Sequence, residues 1–478
     1  MLSESNPRSR LSSILWSAGG GLIVGGLASA VSLFLGVGGA DRAIIGFSIA
    51  FVFVFPLLLE MSDRVRSFLA ALVLAGLVAV PIYHSAQTMD DPTGRTQLAD
   101  GLIWFTVAAP LGALLLVALT KAYILGHASD EFSNYDARAR DERARDERVR
   151  AADASYFLHA LTLPLVIGIM LIGAAPAAAL LGLGGLAMGS DMQAAVSRSA
   201  SSSVYGWPIM AAFIAAAISF VRGQTALLGA LRFAVVAAAR LVSPAIAVAA
   251  IMLALFSFLG GPWATVRTIY ASGVFLAFGA TIWLSFSAVR QSGEGGAPPL
   301  WIRIPTIAAL LIMPVFVWFA YQGLSIRIET YGLTPVRILG LGAVAIAGLH
   351  ALGGIVCIAM EATSTPERWM PGASKVTASL GLVTALMLLI AGSPLIDPLA
   401  ISANNQSDRL LDGDVDAEKF DYAFLRFELG PAGDDALDRV LTVSDHSQAA
   451  TIRANIELVR RFEARESYDA YVLTRGAR

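Results

Sequence analysis

Arg327-Ile328-Glu329-Thr330-Tyr331-Gly332-Leu333-Thr334-Pro335-Val336-Arg337 is a polar island between two apolar runs, Ile304–Gly323 and Ile338–Ala359. An α-helix rises 1.5 Å per residue, so about 20 apolar residues cross a hydrocarbon core about 30 Å thick. Both runs reach that length. Two membrane helices joined by a built turn are the simplest reading, and it sets the class of the whole chain. Composition agrees: the 478 residues are 56% hydrophobic and 15% charged, against about 45–50% and about 25% in soluble domains.

Outward from this pair the same signature recurs. Eleven spans are expected: Ile14–Gly36, Ala43–Leu59, Ser67–Tyr83, Leu102–Leu125, Tyr156–Met188, Val204–Val221, Leu241–Leu259, Ile269–Val289, Pro305–Gly323, Ile338–Ala359 and Val376–Pro394. The expected fold is an all-α integral membrane protein with about eleven transmembrane helices and a small C-terminal helical extramembrane domain. Residues 1–394 make the membrane part, and residues 395–478 make the second unit. Tyr156–Met188 is too long for one straight crossing; Pro164 and Pro176 suit one span with a bent extension.

Basic residues in short loops orient the bundle. With the N-terminus cytoplasmic, eighteen Lys and Arg fall inside and six outside. The odd number of spans then places the C-terminal unit outside. Residues 126–155 become a charged cytoplasmic helical hairpin or linker. Within it Asp141 faces Arg145 and Asp146 faces Arg150 at i+4. A solvated helix explains that pattern, and a docking surface for anionic headgroups or a cytoplasmic protein is the sharper reading.

The last 84 residues turn acidic and lose the span pattern. Asp416 is expected to cap a helix carrying Phe420, Ala423, Phe424 and Phe427, which Gly430-Pro431 ends. Asp434 and Asp445 are expected to start two more, the second with Ile452, Ile456 and Val459 on one face. A unit of this size has a marginal core and should lean on the membrane part or on a partner.

Several function classes lack support in these residues. A net charge of −2 gives no field for nucleic acid. The single Cys357 allows no intrachain disulfide, and scattered histidines show no metal-ligand spacing. No zincin, Walker or nucleophile-elbow pattern occurs, so no catalytic residue, metal or cofactor is assigned. His350 is the one strongly ionisable group deep in a span. Charge-coupled pumps usually carry more. An interhelical hydrogen bond explains His350, and a substrate or heme contact is the sharper alternative.

In the opening stretch, Gly332 permits positive φ, and Thr334-Pro335 suits an N-cap followed by proline at the first helical position. Arg327 and Glu329 suit an extended or interfacial segment, with Tyr331 at headgroup level. The turn chemistry leaves Arg327, Glu329, Tyr331 and Arg337 unexplained. They are candidates for a surface that meets the external unit or a lipid headgroup. Asp421, Tyr422, Arg426 and Glu428 are the matching candidates in the tail, with Arg327 or Arg337 expected to pair with an acid of the tail such as Asp421 or Glu428.

The 327–337 element together with Phe420-Asp421-Tyr422-Ala423-Phe424-Leu425-Arg426-Phe427-Glu428-Leu429-Gly430 resembles a bacterial membrane family called domain of unknown function 4153. Its members are similar in having many spans, an R-I-x-x-Y-G-L-T-P-x-R element and an F-D-Y-x-x-L-R-F-x-x-G element. The likeness covers roughly the last third of the chain. It implies a bacterial inner-membrane location and brings no activity, substrate or cofactor. The charged 136–150 run is not part of that pattern.

Three function classes follow. The first is a carrier or flippase-like protein for an uncharged or amphipathic envelope compound, which predicts a cavity lined by Ser, Thr and Gly reaching mid-membrane. The second is a non-catalytic envelope scaffold or sensor that links the external unit to the cytoplasm. It predicts that Phe420, Tyr422, Arg426 and Phe427 face a partner. A membrane enzyme is the third. The expected partners are the lipid bilayer and an envelope or cytoplasmic protein.

Overall fold

The computed structural model describes residues 7–35, 39–59, 64–89, 102–120, 206–261, 271–290, 298–362, 369–370, 372–391, 393, 395–443 and 447–476. The charged run 126–155 and the long expected span Tyr156–Met188 lie outside these residues. Among the described residues every regular element is an α-helix. In chain order they are α1 (Pro7–Leu35), α2 (Gly39–Leu58), α3 (Arg64–Met89), α4 (Leu102–Thr120), α5 (Gly206–Gly223), α6 (Thr225–Leu259), α7 (Ala271–Arg290) and α8 (Leu300–Tyr331). Then follow α9 (Pro335–Ala362), α10 (Ala373–Ile390), α11 (Pro398–Leu411), α12 (Tyr422–Glu428), α13 (Gly430–Thr442), α14 (Ala449–Val459) and α15 (Arg465–Gly476).

Seven of these helices, α1, α3, α6, α7, α8, α9 and α10, are long and apolar enough to cross a membrane. Two shorter apolar stretches lie within α2 and α5, at Gly46–Leu58 and Ala211–Gly223. Large side chains such as Phe233, Leu241 and Leu259 are exposed on these helices. That is the expected surface of a protein solvated by hydrocarbon.

The apolar helices bury two cores. One joins α1 to α5 around Phe51, Phe55, Val78, Val117 and Ile218. The second joins α6 to α10 around Phe275, Phe286, Phe316, Phe319 and Cys357. In the second core, Phe275 and Phe319 stack at 4.9 Å. The two halves meet where α4 packs on α10. A side chain at Gly112 would stand 2.8 Å from the carbonyl oxygen of Ala385. Only a glycine lets the backbones approach this closely, the usual means of helix association without water to drive it.

Several polar groups inside the halves pair with one another, since lipid offers them no alternative partner. Ser17 and Ser219 share a hydrogen bond of 2.5 Å. Ser243 and Thr306 share one of 3.2 Å. Arg222 at the end of α5 donates to the carbonyl of Pro56 near the end of α2.

Several local expectations are corrected. Residues 327–331 are not extended. They are the last turns of α8, which at 32 residues is about 48 Å long. Thr330 donates to the carbonyl of Ile326 at 2.7 Å, an i−4 bond that suits a helix. Arg232 and Arg240 lie inside α6, not in a loop; only Gln224 separates α5 from α6.

In the tail, Asp416 closes a turn by accepting from the Glu418 amide at 2.9 Å. Asp421 is the cap of α12 and accepts from the Phe424 amide at 2.9 Å. Helix α13 begins at Gly430, four residues before Asp434. The tail helices share a third core, with Leu410, Leu425, Phe427, Leu429 and Ile456 fully buried.

Candidate functional site

The C-terminal end of α8 is where the membrane helices and the tail are joined. A helix ends with carbonyls that have no partner inside the helix. Here they are satisfied in sequence. The Ile328 carbonyl accepts from the Gly332 amide at 2.7 Å. Arg409 Nη2 donates to the Thr330 carbonyl at 2.9 Å and more weakly to that of Glu329 at 3.4 Å. Gln406 Nε2 donates to the carbonyls of Tyr331 at 2.9 Å and Leu333 at 3.0 Å. Ser402 Oγ donates to the Leu333 carbonyl at 3.0 Å, and the Leu333 amide donates to Asn405 Oδ1 at 2.6 Å.

Ser402, Asn405, Gln406 and Arg409 all stand on α11, at the spacing that shares a helix face. Asp397 accepts from the amides of Leu399 and Ala400 at 2.9 and 3.0 Å, and Pro398 occupies the first turn. Leu399, Ala403 and Leu410 bury the apolar side of the same helix. Arg439 of α13 grips it from the far side through Asn404 at 3.0 Å and Asp408 at 3.1 Å. Asp397 also faces His84 of α3 at 3.9 Å. Helix α11 is therefore held between the tail core and the ends of α3, α8 and α9.

Gly332 makes the joint possible. Its φ is +75°, and a side chain there would lie 2.6 Å from both Arg409 Nη1 and Gln406 Nε2. The left-handed backbone and the close approach each require glycine. Beyond it, Thr334 Oγ1 accepts from the Arg337 amide at 3.4 Å and Pro335 starts α9, as its turn chemistry implied.

Of the candidates in this element, Arg337 donates to the Gly332 carbonyl and lies over the Tyr331 ring at 5.5 Å. Tyr331 is 64% exposed. Arg327 is partly buried on α8, and its charge bears on Arg337, as does that of Arg409. The Glu329 side chain is exposed. The expected pairing of these arginines with Asp421 or Glu428 is not what those acids make. Both turn to Arg465 of α15, Asp421 at 3.5 Å and Glu428 in closer contact.

The other tail candidates are internal. Phe420, Tyr422 and Phe427 belong to the tail core. Arg426 is 9% exposed and pairs with Asp434. This corrects the expectation that they form a partner-facing patch. Tyr422 Oη donates to the Ala417 carbonyl at 3.0 Å. Burial pushes its phenol up to about 12, partly offset by a hydrogen bond with Asn455. His350 hydrogen-bonds the Ile346 carbonyl of its own helix at 2.8 Å and meets Trp283 of α7 edge-on at 4.9 Å. Among the described residues its interhelical contact is with a ring and not the expected hydrogen bond.

Sequence reading missed α11. The available signal was Asp397-Pro398, a cap followed by proline at the first position, with Leu399, Ala403, Gln406 and Leu410 on one face. What masked it was the polar composition of the neighbouring face, Ser402, Asn405, Gln406 and Arg409, which resembles loop until its backbone partners are known.

One cavity of about 540 Å³ opens between α1, α2 and α3, lined by residues such as Val24, Leu27, Phe47, Phe68 and Leu72. Its wall is apolar, unlike the Ser-, Thr- and Gly-rich passage expected of a carrier. Among the described residues no group of three His, Cys, Asp or Glu side chains is placed to hold a metal. The chain matches no protein-family model, no curated protein and no solved structure.

Proposed function

We propose that this is a multi-pass protein of the bacterial inner membrane in which an external helical unit is mechanically coupled to membrane helices α8 and α9, a non-catalytic envelope scaffold or sensor. The observation that carries the reading is the joint. Four side chains of α11 satisfy the backbone at the end of a membrane helix. Such bonds have directed geometry, so α11 cannot shift without leaving carbonyls unpaired at real cost. The basic-residue asymmetry supports eleven spans with a cytoplasmic N-terminus and an external tail. The two-motif resemblance to domain of unknown function 4153 supports the bacterial inner membrane.

A second reading, a carrier or flippase for an amphipathic envelope compound, draws on the apolar cavity at α1–α3, whose wall suits a hydrocarbon chain. The two are separated by complementation. A deletion strain is profiled for envelope lipids and polymers and supplied with a Gln406→Ala, Arg409→Ala chain that inserts normally. Coupling predicts loss of rescue together with a protease-sensitive tail. Full rescue by a chain whose tail is demonstrably loose overturns it.

A further inference from the structure

Helices α1 and α3 both pack on α2 and make few contacts with each other. The cleft left between them is the apolar cavity of about 540 Å³, within the range of about 300–1,000 Å³ that holds one small ligand. Along α3 it runs from Phe68 to Ala79. At 1.5 Å per residue that is about 16 Å, close to one leaflet of a hydrocarbon core about 30 Å thick. On α1 its wall includes Ile23 and Leu27, both more than half exposed, so the cleft opens sideways on the apolar surface of the bundle.

The two ends of the cleft differ. A side chain at Gly46 would meet Ile82, so the start of α2 lies against the end of α3. Ile44 and Phe47 of α2 therefore line the Ala79 end, which is apolar. The Phe68 end meets a charge. Arg64 stands one turn before Phe68 on the same face of α3, and Trp16 stands two turns before Ile23 on α1. The Arg64 guanidinium lies over the Trp16 ring at 5.0 Å and bridges α1 and α3 across this mouth. Stacking uses the flat face of the guanidinium and leaves its N–H donors in the plane. Among the described residues Arg64 makes no ion pair. Trp16 is exposed, as an indole at headgroup level is.

An apolar slot one leaflet long, with a guanidinium and an indole at one end, follows the polarity of a phospholipid from acyl chain to phosphate. We propose that the α1–α3 cleft binds one phospholipid, with an acyl chain along α3 from Phe68 to Ala79 and the phosphate on Arg64 beside Trp16. This goes beyond the coupling at α8–α11, which involves none of these residues. It needs a bound lipid and no passage across the membrane, so it does not depend on the carrier reading.

The test is native mass spectrometry of the full-length protein in detergent, titrated with dipalmitoyl phosphatidylglycerol, dihexanoyl phosphatidylglycerol or dipalmitoylglycerol. The first should be retained about tenfold more tightly than either of the others, because each of those lacks one half of the match. Arg64→Gln should remove most of the advantage over dipalmitoylglycerol and leave dipalmitoylglycerol itself unchanged. Ala79→Phe, which fills the far end of the cleft, should remove most of the advantage over the short-chain lipid. Val73→Phe adds bulk on the exposed side of α3, outside the cleft, and should change neither. Equal retention of the three probes, or a preference that survives both Arg64→Gln and Ala79→Phe, overturns the proposal. So does a loss in Val73→Phe as large as in Ala79→Phe, since bulk anywhere on α3 would then suffice. The Gln406→Ala, Arg409→Ala chain should retain the lipid as the unmodified protein does, so that failure of this site and failure of the coupling are read separately.

Discussion

Gln406 of α11 donates its side-chain amide to the carbonyl of Tyr331, the last residue of α8, at 2.9 Å. The same nitrogen also serves Leu333 at 3.0 Å. One buried amide thus holds both sides of the glycine that turns the chain into α9. Removing it takes the donor from the Tyr331 carbonyl, with about 1–3 kcal/mol at stake, while Leu333 keeps its bond from Ser402. Gln406→Ala should speed amide hydrogen exchange across residues 332–338 and expose the tail to trypsin. Unchanged protection in both regions would show that the tail is held by other means.

Gly332→Ala should destabilise the joint more than Gly413→Ala. Both glycines have positive φ, +75° and +79°, so both substitutions incur backbone strain, about 1–3 kcal/mol at Gly332, whose φ together with a ψ of −178° only glycine adopts readily. Only at Gly332 would the new methyl also meet Arg409 and Gln406; at Gly413 the space is open. Equal losses in thermal stability for the two variants would refute the special demand for glycine at position 332.

Arg465 gathers Asp421, Glu428 and Asp469 and ties α15 to α12. The guanidinium is partly exposed, so Arg465→Met should cost only about 1 kcal/mol, and less at high salt as screening grows. The readout is the melting of the tail in low and high salt. A loss that does not depend on salt would mean that packing, not charge, is what Arg465 supplies.

Tyr422 makes the tail sensitive to alkali. Below pH about 10 its phenol is protonated in both folded and unfolded chains, and its contribution is complete. Above that the unfolded chain loses the proton while the folded one, pushed up to about 12, keeps it. Stability should therefore fall as pH rises through this window. Tyr422→Phe should flatten that part of the pH profile, and an unchanged slope would remove Tyr422 as the source.

Gly112→Val places a branched side chain against the Ala385 carbonyl and Leu389 of α10. Overpacking of this kind costs about 1–3 kcal/mol. It should loosen the two halves from each other while each retains its core. Cross-linking between α4 and α10 tests this, and unaltered cross-linking yield would contradict the close packing.

The helical, membrane-like class and the places of the seven helices long enough to span were legible because apolar run length and hydrogen-bond closure within a helix are properties of consecutive residues. Gly332, Thr334 and Pro335 were legible for the same reason: their backbone preferences act within one turn. The reach of α8 through Tyr331 was not, because its final turns are held partly by donors from residues about 75 positions away. Nor was the pairing of Asp421 and Glu428 with Arg465 in place of Arg337.

By itself, then, the sequence determined that this chain is a helical membrane protein with a glycine turn between α8 and α9 and an acidic helical tail. Only the tertiary structure decided which tail helix meets that turn, and which of its side chains satisfy the backbone there. The physical reason is that carbonyls at a helix end accept a donor from any segment that can reach them. Choosing among many polar side chains is settled by packing, and packing is a property of the whole chain.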